Sequence, residues 1–211
     1  MGGTGSTGLD GVLPAGFNAS LETPKDPAAL AKLKEACGKA FKDHNGSCSH
    51  AVNAIVRTML GLTEAAWPQR QANDLVAFLV KSTDWAAVTL DRAYELALQG
   101  VPVVGGKAET GKRSGHVIIV YPGLRKARGG YSFTDKTGVV KSVAVKGSYP
   151  LALSTSLGDW PGAKSNGDKT VWDPWGNDDA FALVTFWAPA KAAAGKPDIS
   201  GMLRLSGARF G

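Results

Sequence analysis

The densest reactive chemistry in the chain lies in "DHNGSCSHAV" (43–52), where His44, Cys48 and His50 fall within seven residues. A metal centre needs three or four ligands, and the available pool is Cys37, His44, Cys48, His50 and His116. Cys37 and Cys48 stand eleven positions apart, and neither C-x-x-C nor H-x-x-x-H spacing occurs. On a helix His50 points about 200° away from Cys48. No metal site is expected. A nucleophile fits the pattern better. A Cys in the first helical turn lies against unpaired amides and the positive end of the macrodipole, which favour thiolate. The same amides can donate to a developing oxyanion. Such a thiol needs a His, distant in sequence, to take and return its proton. His116, in "SGHVIIVYPG", follows a Gly and opens the most apolar strand-like run. Taken alone, Cys48 reads as a small buried residue and His116 as a hydrogen-bonded strand end; together they read as a catalytic pair.

The elements that must position this pair follow from periodicity. Residues 26–43 read as a helix, with Asp26 as cap, Pro27 in the first turn, and Leu30, Leu33, Cys37 and Phe41 at helical spacing. A second helix starts at Cys48 and stops at Gly61. A Pro at 68 precedes a shorter helix, and 84–100 read as helix or loop-helix. From residue 101 the period changes. The runs at 101–106, 116–123, 138–147, 149–155 and 181–189 are β-branched or alternating and are separated by Gly-rich turns. Helices followed by an antiparallel sheet make an α+β fold. The predicted organisation is a lead-in over 1–24, one domain over 25–189 and a tail over 190–211.

Two other motifs carry less. "GKAETGK" (106–112) has the phosphate-loop spacing, but Arg113 follows where Ser or Thr would hold magnesium, and the next run is strand-like. It reads as a loop between strands. The net charge is +6 with pI near 9.3, yet the basic residues are scattered; the longest cluster is "LRKARGG" (124–130). No nucleic-acid signature accompanies it, so no nucleic-acid partner is expected. No stretch approaches the ~20 apolar residues of a membrane helix, and "MGGTGSTGLDGVLPAG" has neither the charged nor the apolar part of a secretory signal. The expectation is a chain made in the cytoplasm, without membrane insertion. Among the six Trp, Trp172, Trp175 and Trp187 read as core or sheet packing, whereas Trp160 sits in a Gly/Pro loop and can line a groove.

"N-x-x-C-S" opening a helix, with "GHV" later opening a strand, resembles the NlpC/P60 branch of the papain-like cysteine peptidases. More narrowly it is similar to the type VI secretion amidase effectors that cut peptidoglycan peptides. The stretches "EACGKAF" (35–41), "NGSCSHAVNAIVRTMLG" (45–61), "QANDLVAFL" (71–79), "ALQGVPVVGG" (97–106), "SGHVIIV" (114–120), "YPLALSTSLG" (149–158) and "SNGDKTVWDPW" (165–175) follow the same order. The resemblance implies a papain-like fold with Cys48 as nucleophile and His116 as general base. It implies a third polar residue on the next strand to orient the imidazole. Ser154 takes that role if "YPLALST" is the strand; Asp135 or Ser132 does if "YSFTD" is, because about twenty residues after the His strand look inserted. Two positions depart from the family: Ser47 stands where Asp or Asn is common, and His50 where a small residue is. The resemblance further implies no cofactor, a peptidoglycan peptide as substrate, secretion into a target bacterium's periplasm, and an immunity protein and type VI secretion components as partners.

Overall fold

The computed structural model describes residues 26–111, 114–156 and 158–195. Its first two helices form where local chemistry dictates. In α1 (Pro27–Asp43) the Asp26 carboxylate accepts from the Ala29 amide, and Pro27 costs nothing in a turn that lacks intrahelical partners. Leu33, Ala36, Cys37 and Ala40 make its buried stripe. The second, α2 (Cys48–Leu60), ends on Gly61 at φ 64°, a left-handed cap that glycine adopts without Cβ strain. It buries Ala51, Val52, Ile55 and Val56. Next come α3 (Ala72–Lys81), β1 (Trp85–Val88) and α4 (Leu90–Leu98), with Thr89 capping α4 through the Arg92 amide.

The remaining strands are β2 (Val104–Lys107), β3 (His116–Arg128), β4 (Tyr131–Thr134), β5 (Val140–Val143), β6 (Lys146–Thr155), β7 (Lys164–Thr170) and β8 (Thr185–Pro189). Five of them join β1 in one antiparallel sheet in the order β1-β8-β2-β3-β6-β7; β4 and β5 form a separate two-stranded ribbon. Helices α1, α2 and α3 cover one face, packing on Val104, Val117, Ile119, Leu153 and Trp187. Helix α4 covers the other, on Val103, Ile118, Val120, Ala152 and Phe186. Burial on both faces is why "VIIV" reads as a continuous apolar run instead of an alternation. The architecture is α+β, helices packed on an antiparallel sheet.

Several elements differ from the sequence expectation. The run 84–100 is not helical throughout: its first residues are β1, an edge strand paired with β8. The run 181–189 splits, because Asn177 caps the short helix α5 (Asp178–Ala182) before β8 begins. The run 138–147 supplies β5 to the ribbon and not to the main sheet. The stretch 190–195, read as the start of a tail, holds helix α6 (Ala190–Ala193), which Arg92 ties down through the carbonyls of Ala192 (3.0 Å) and Gly195 (2.8 Å). The lead-in expected over 1–24 and the tail beyond 195 lie outside the described residues. Among the described residues, no helix is long and apolar enough to cross a membrane.

Candidate active site

The thiol of Cys48 sits at the open end of α2. Ser47 occupies the N-cap position, but its hydroxyl makes no capping bond; it lies 2.6 Å from His50 Nδ1 instead. The first-turn amides are thereby left to other acceptors. The backbone N–H groups of Val117, Ser49 and Cys48 itself lie on the side of the sulfur where they favour its charged form. The registered pairs of β3 with β6 begin at Ile119↔Leu153, so Val117 lies beyond them and its amide is available to the thiol. Burial pushes the Cys48 thiol above its ordinary range, and the three amides oppose that shift.

His116 opens β3 and is half-buried. Its Nε2 lies 3.1 Å from Ser154 Oγ, and Ser154 Oγ donates to the Ala163 carbonyl at 2.6 Å. A hydroxyl has one proton to give. With that proton on Ala163, Ser154 accepts from Nε2–H, and Nδ1 is left as the basic nitrogen. Trp175 covers the ring edge-on, with centroids 5.1 Å apart and planes at 67°. Burial holds the imidazole down at about 4, so it is neutral at pH 7. By strand alternation His116 shares the α4 face of β3 with Ile118 and Val120, whereas Cys48 comes from a helix on the opposite face. Val117, whose amide faces the thiol, is the residue that follows His116. Among the described residues, no hydrogen bond joins the sulfur to either ring nitrogen.

Of the three residues proposed to orient His116, the structure brings Ser154 to it. Ser132 lies on the ribbon, with its hydroxyl 2.7 Å from that of Ser142. Asp135 closes the ribbon's turn, accepting from the Thr137 amide (2.9 Å), the Thr137 hydroxyl (2.6 Å) and the Val139 amide (3.1 Å). Those donors hold its carboxyl well below the usual range.

Other expectations change on the same ground. Trp175 does not pack within the sheet; it shields His116 from a turn, with its own Nε1 donating to the Val171 carbonyl at 2.9 Å. The D-P step inside "WDPW" is the sequence sign of that turn. Trp160 is half-buried and donates to the Asp173 carbonyl at 3.0 Å, so it is pinned to the same turn. Asn73 lies inside α3 after the cap residue Gln71. Its Oδ1 accepts from the amides of Glu109 and Gly115, both at 2.9 Å, and braces the approach to His116.

The rings of His44 and His50 lie with centroids 5.9 Å apart and planes tilted by 34°, at the start of α2. Among the described residues, no group of three or more His, Cys, Asp or Glu could hold a metal ion. Cys37 is buried in the core, and desolvation pushes its thiol up to about 12. Two surface hollows of about 510 and 440 Å³ lie elsewhere, one near Gly100 and Pro102 and one between α3 and Leu183; neither contains Cys48, His116 or Ser154.

The arrangement offers a thiol at the first turn of a helix, an imidazole with one nitrogen committed to Ser154 and the other basic, and an indole limiting water at the ring. Those are the parts of a nucleophile and a general base. The sequence matches no protein-family model, and no curated protein matches it.

Proposed function

We propose that the chain is a papain-like cysteine hydrolase of the NlpC/P60 type that cuts an amide bond in peptidoglycan peptides, acting as an antibacterial type VI secretion effector. The observation that supports the chemistry is Cys48 in the first turn of α2 beside Val117, the residue next to His116, whose Nε2 lies 3.1 Å from Ser154 Oγ. The substrate and the delivery route rest on the sequence resemblance.

In the proposed reaction Nδ1 of His116 takes the thiol proton as Sγ attacks the scissile carbonyl. Both groups are neutral at rest, so the proton moves during attack and not before it. The sulfur and the ring must therefore close to hydrogen-bond range in the substrate complex, a tightening common at catalytic pairs. The amide of Cys48 then turns to the oxyanion. His116 returns the proton to the departing amine, leaving a thioester. Water, giving a proton to His116, attacks that thioester; the carboxylate product leaves and the thiol is restored. No metal or organic cofactor enters these steps. Peptidoglycan peptide is the substrate, and an immunity protein covering Cys48 and His116 would protect the producing cell.

Expression directed to the bacterial periplasm tests the biological half. Lysis by the wild-type chain there, but not in the cytoplasm and not with Cys48→Ala, is the expected result. Equal lysis by Cys48→Ala would favour a non-catalytic wall-binding module.

A further inference from the structure

The inserted ribbon is built into the site's support through one buried carboxylate. Asp173, 1% exposed, lies in the turn between β7 and α5. Its Oδ2 accepts from the Thr170 amide and the Thr170 hydroxyl, each at 2.8 Å. Its Oδ1 accepts from the Gly129 amide at 2.9 Å and the Tyr131 hydroxyl at 3.2 Å. Two donors thus come from the turn and two from the root of the ribbon. The geometry is tight on the ribbon side: Gly129 has φ 74°, and a Cβ there would run into the Ala144 carbonyl. Gly162 makes room for the Tyr131 hydroxyl, which a Cβ at that position would strike.

The same turn presents the indole that covers His116. The Trp175 amide donates to the Trp172 carbonyl at 3.1 Å, and the Asp173 amide donates to Thr170 at 3.2 Å. A second tie runs in parallel: the Arg128 guanidinium lies 3.7 Å from the Trp172 ring centre and reaches Asp178 at 3.2 Å, and Trp172 Nε1 donates to the same carboxylate at 2.8 Å. The ribbon root therefore holds the segment that leads to Trp175 at two adjacent residues, Trp172 and Asp173.

We propose that Asp173 is a positioning residue for the hydrolysis assigned above: its carboxylate locks the ribbon root at Gly129 and Tyr131 to the Thr170–Trp175 turn, and so sets Trp175 against His116. The inference rests on the hydrolase reading for its catalytic consequence, but not for its geometric one. A carboxylate suits the position because four donors converge on it. Asparagine has the same size, yet it would aim N–H groups at two of those donors. Tyr131→Phe is the milder change, since it removes one bond from the ribbon and leaves both Thr170 bonds intact.

The readout is the imidazole of His116, because desolvation sets its basicity. Its surroundings are Cys48 of α2 by way of Val117, Ser154 of β6, and Trp175 of the turn. Its register partner on β2 is Lys107, which is paired with Glu109 at 2.5 Å. Displacing Trp175 admits water, and the imidazole then titrates higher, toward the ordinary His value of about 6.5.

The experiment follows the His116 ring by NMR titration in the wild-type protein, Trp175→Ala, Asp173→Asn and Tyr131→Phe, with kcat and KM measured on muropeptides alongside. The expected result is a rise of about one pH unit or more in Trp175→Ala and Asp173→Asn, a smaller rise in Tyr131→Phe, and a fall in kcat that exceeds any change in KM. If Asp173→Asn does not fold, Tyr131→Phe decides. A His116 titration that moves in Trp175→Ala but stays at the wild-type value in the folded clamp variants overturns the proposal. The titration needs no substrate, so a wild-type chain inactive on muropeptides would sink the hydrolase reading while leaving the clamp to be judged by NMR.

Discussion

Removing the hydroxyl of Ser154 tests the orientation of the imidazole at a single atom. Ser154 is 1% exposed; it donates to Ala163 at 2.6 Å and accepts from His116 Nε2 at 3.1 Å. Ser154→Ala leaves a carbonyl and a ring N–H without partners in a buried place. Each orphaned group costs about 1–3 kcal/mol, so folding stability should fall by about 2–6 kcal/mol. The catalytic loss has a separate origin. A hydrogen bond to neutral imidazole contributes about 1 kcal/mol net, whereas one to the imidazolium contributes about 1.5–3 kcal/mol. In the proposed reaction the ring becomes cationic only as the thiol proton arrives, so the difference of about 0.5–2 kcal/mol belongs to the transition state. At about 1.4 kcal/mol per decade that is a loss of kcat of roughly two- to thirtyfold with KM little changed. The assay pairs steady-state muropeptide cleavage at pH 7 with urea unfolding, at temperatures where both proteins are folded. Ser154→Thr, which keeps the hydroxyl, should recover kcat even if the added methyl lowers stability. Wild-type kcat in Ser154→Ala would refute the orienting role, whatever happened to stability.

Three further outcomes follow from the same structure. His116 stays neutral down to about 4 in the fold, while an unfolded His titrates near 6.5. The unfolded chain therefore binds more protons between those values, and stability should fall as pH drops through that window, by about 3 kcal/mol when complete; urea unfolding at pH 7 and pH 4 measures it, and His116→Gln should flatten that part of the profile. In the native protein iodoacetamide at pH 8 should modify Cys48 and spare Cys37, whose buried thiol is pushed up to about 12; equal labelling by peptide mapping would contradict the packing of α1. Two glycine substitutions should have opposite signs in thermal melts. Gly38→Ala meets nothing within 4 Å on α1 and should stabilise by about 0.5–1 kcal/mol. Gly105→Ala would put a Cβ 2.8 Å from Phe186 and 3.0 Å from Ile118, and should destabilise by about 1–3 kcal/mol.

What the sequence discloses divides by the range of the forces involved. Helices α1 and α2 are legible because their determinants are local: Asp26 and Pro27 at one start, Gly61 at one stop, and apolar stripes between. The core strand β3 is legible because burial on both faces leaves a run of four apolar residues. Strand β7, "KSNGDKT", is not, since it is a polar edge strand whose tight turn is held by the Ser165 hydroxyl accepting from the amides of Gly167 and Lys169. Strand β1 hides because it is four residues long and abuts a helix.

At the site, the place of Cys48 on a helix start is a local fact and can be read. The choice among Ser154, Asp135 and Ser132 cannot, because it depends on which later segment pairs with β3. The structure pairs β6 there and sets β4 and β5 aside as the ribbon. Trp175 and Asp173 escape the sequence for the same reason. Their roles come from contacts across 59 and 44 positions, to His116 and Gly129 respectively.

The most direct test of the whole account is mass spectrometry of muropeptides after incubation with purified protein. The expected result is cleavage of one amide bond with the gain of one water by the wild-type chain, and intact muropeptides with Cys48→Ala and with His116→Ala. Intact muropeptides with the wild-type chain, or equal cleavage by Cys48→Ala, would contradict it.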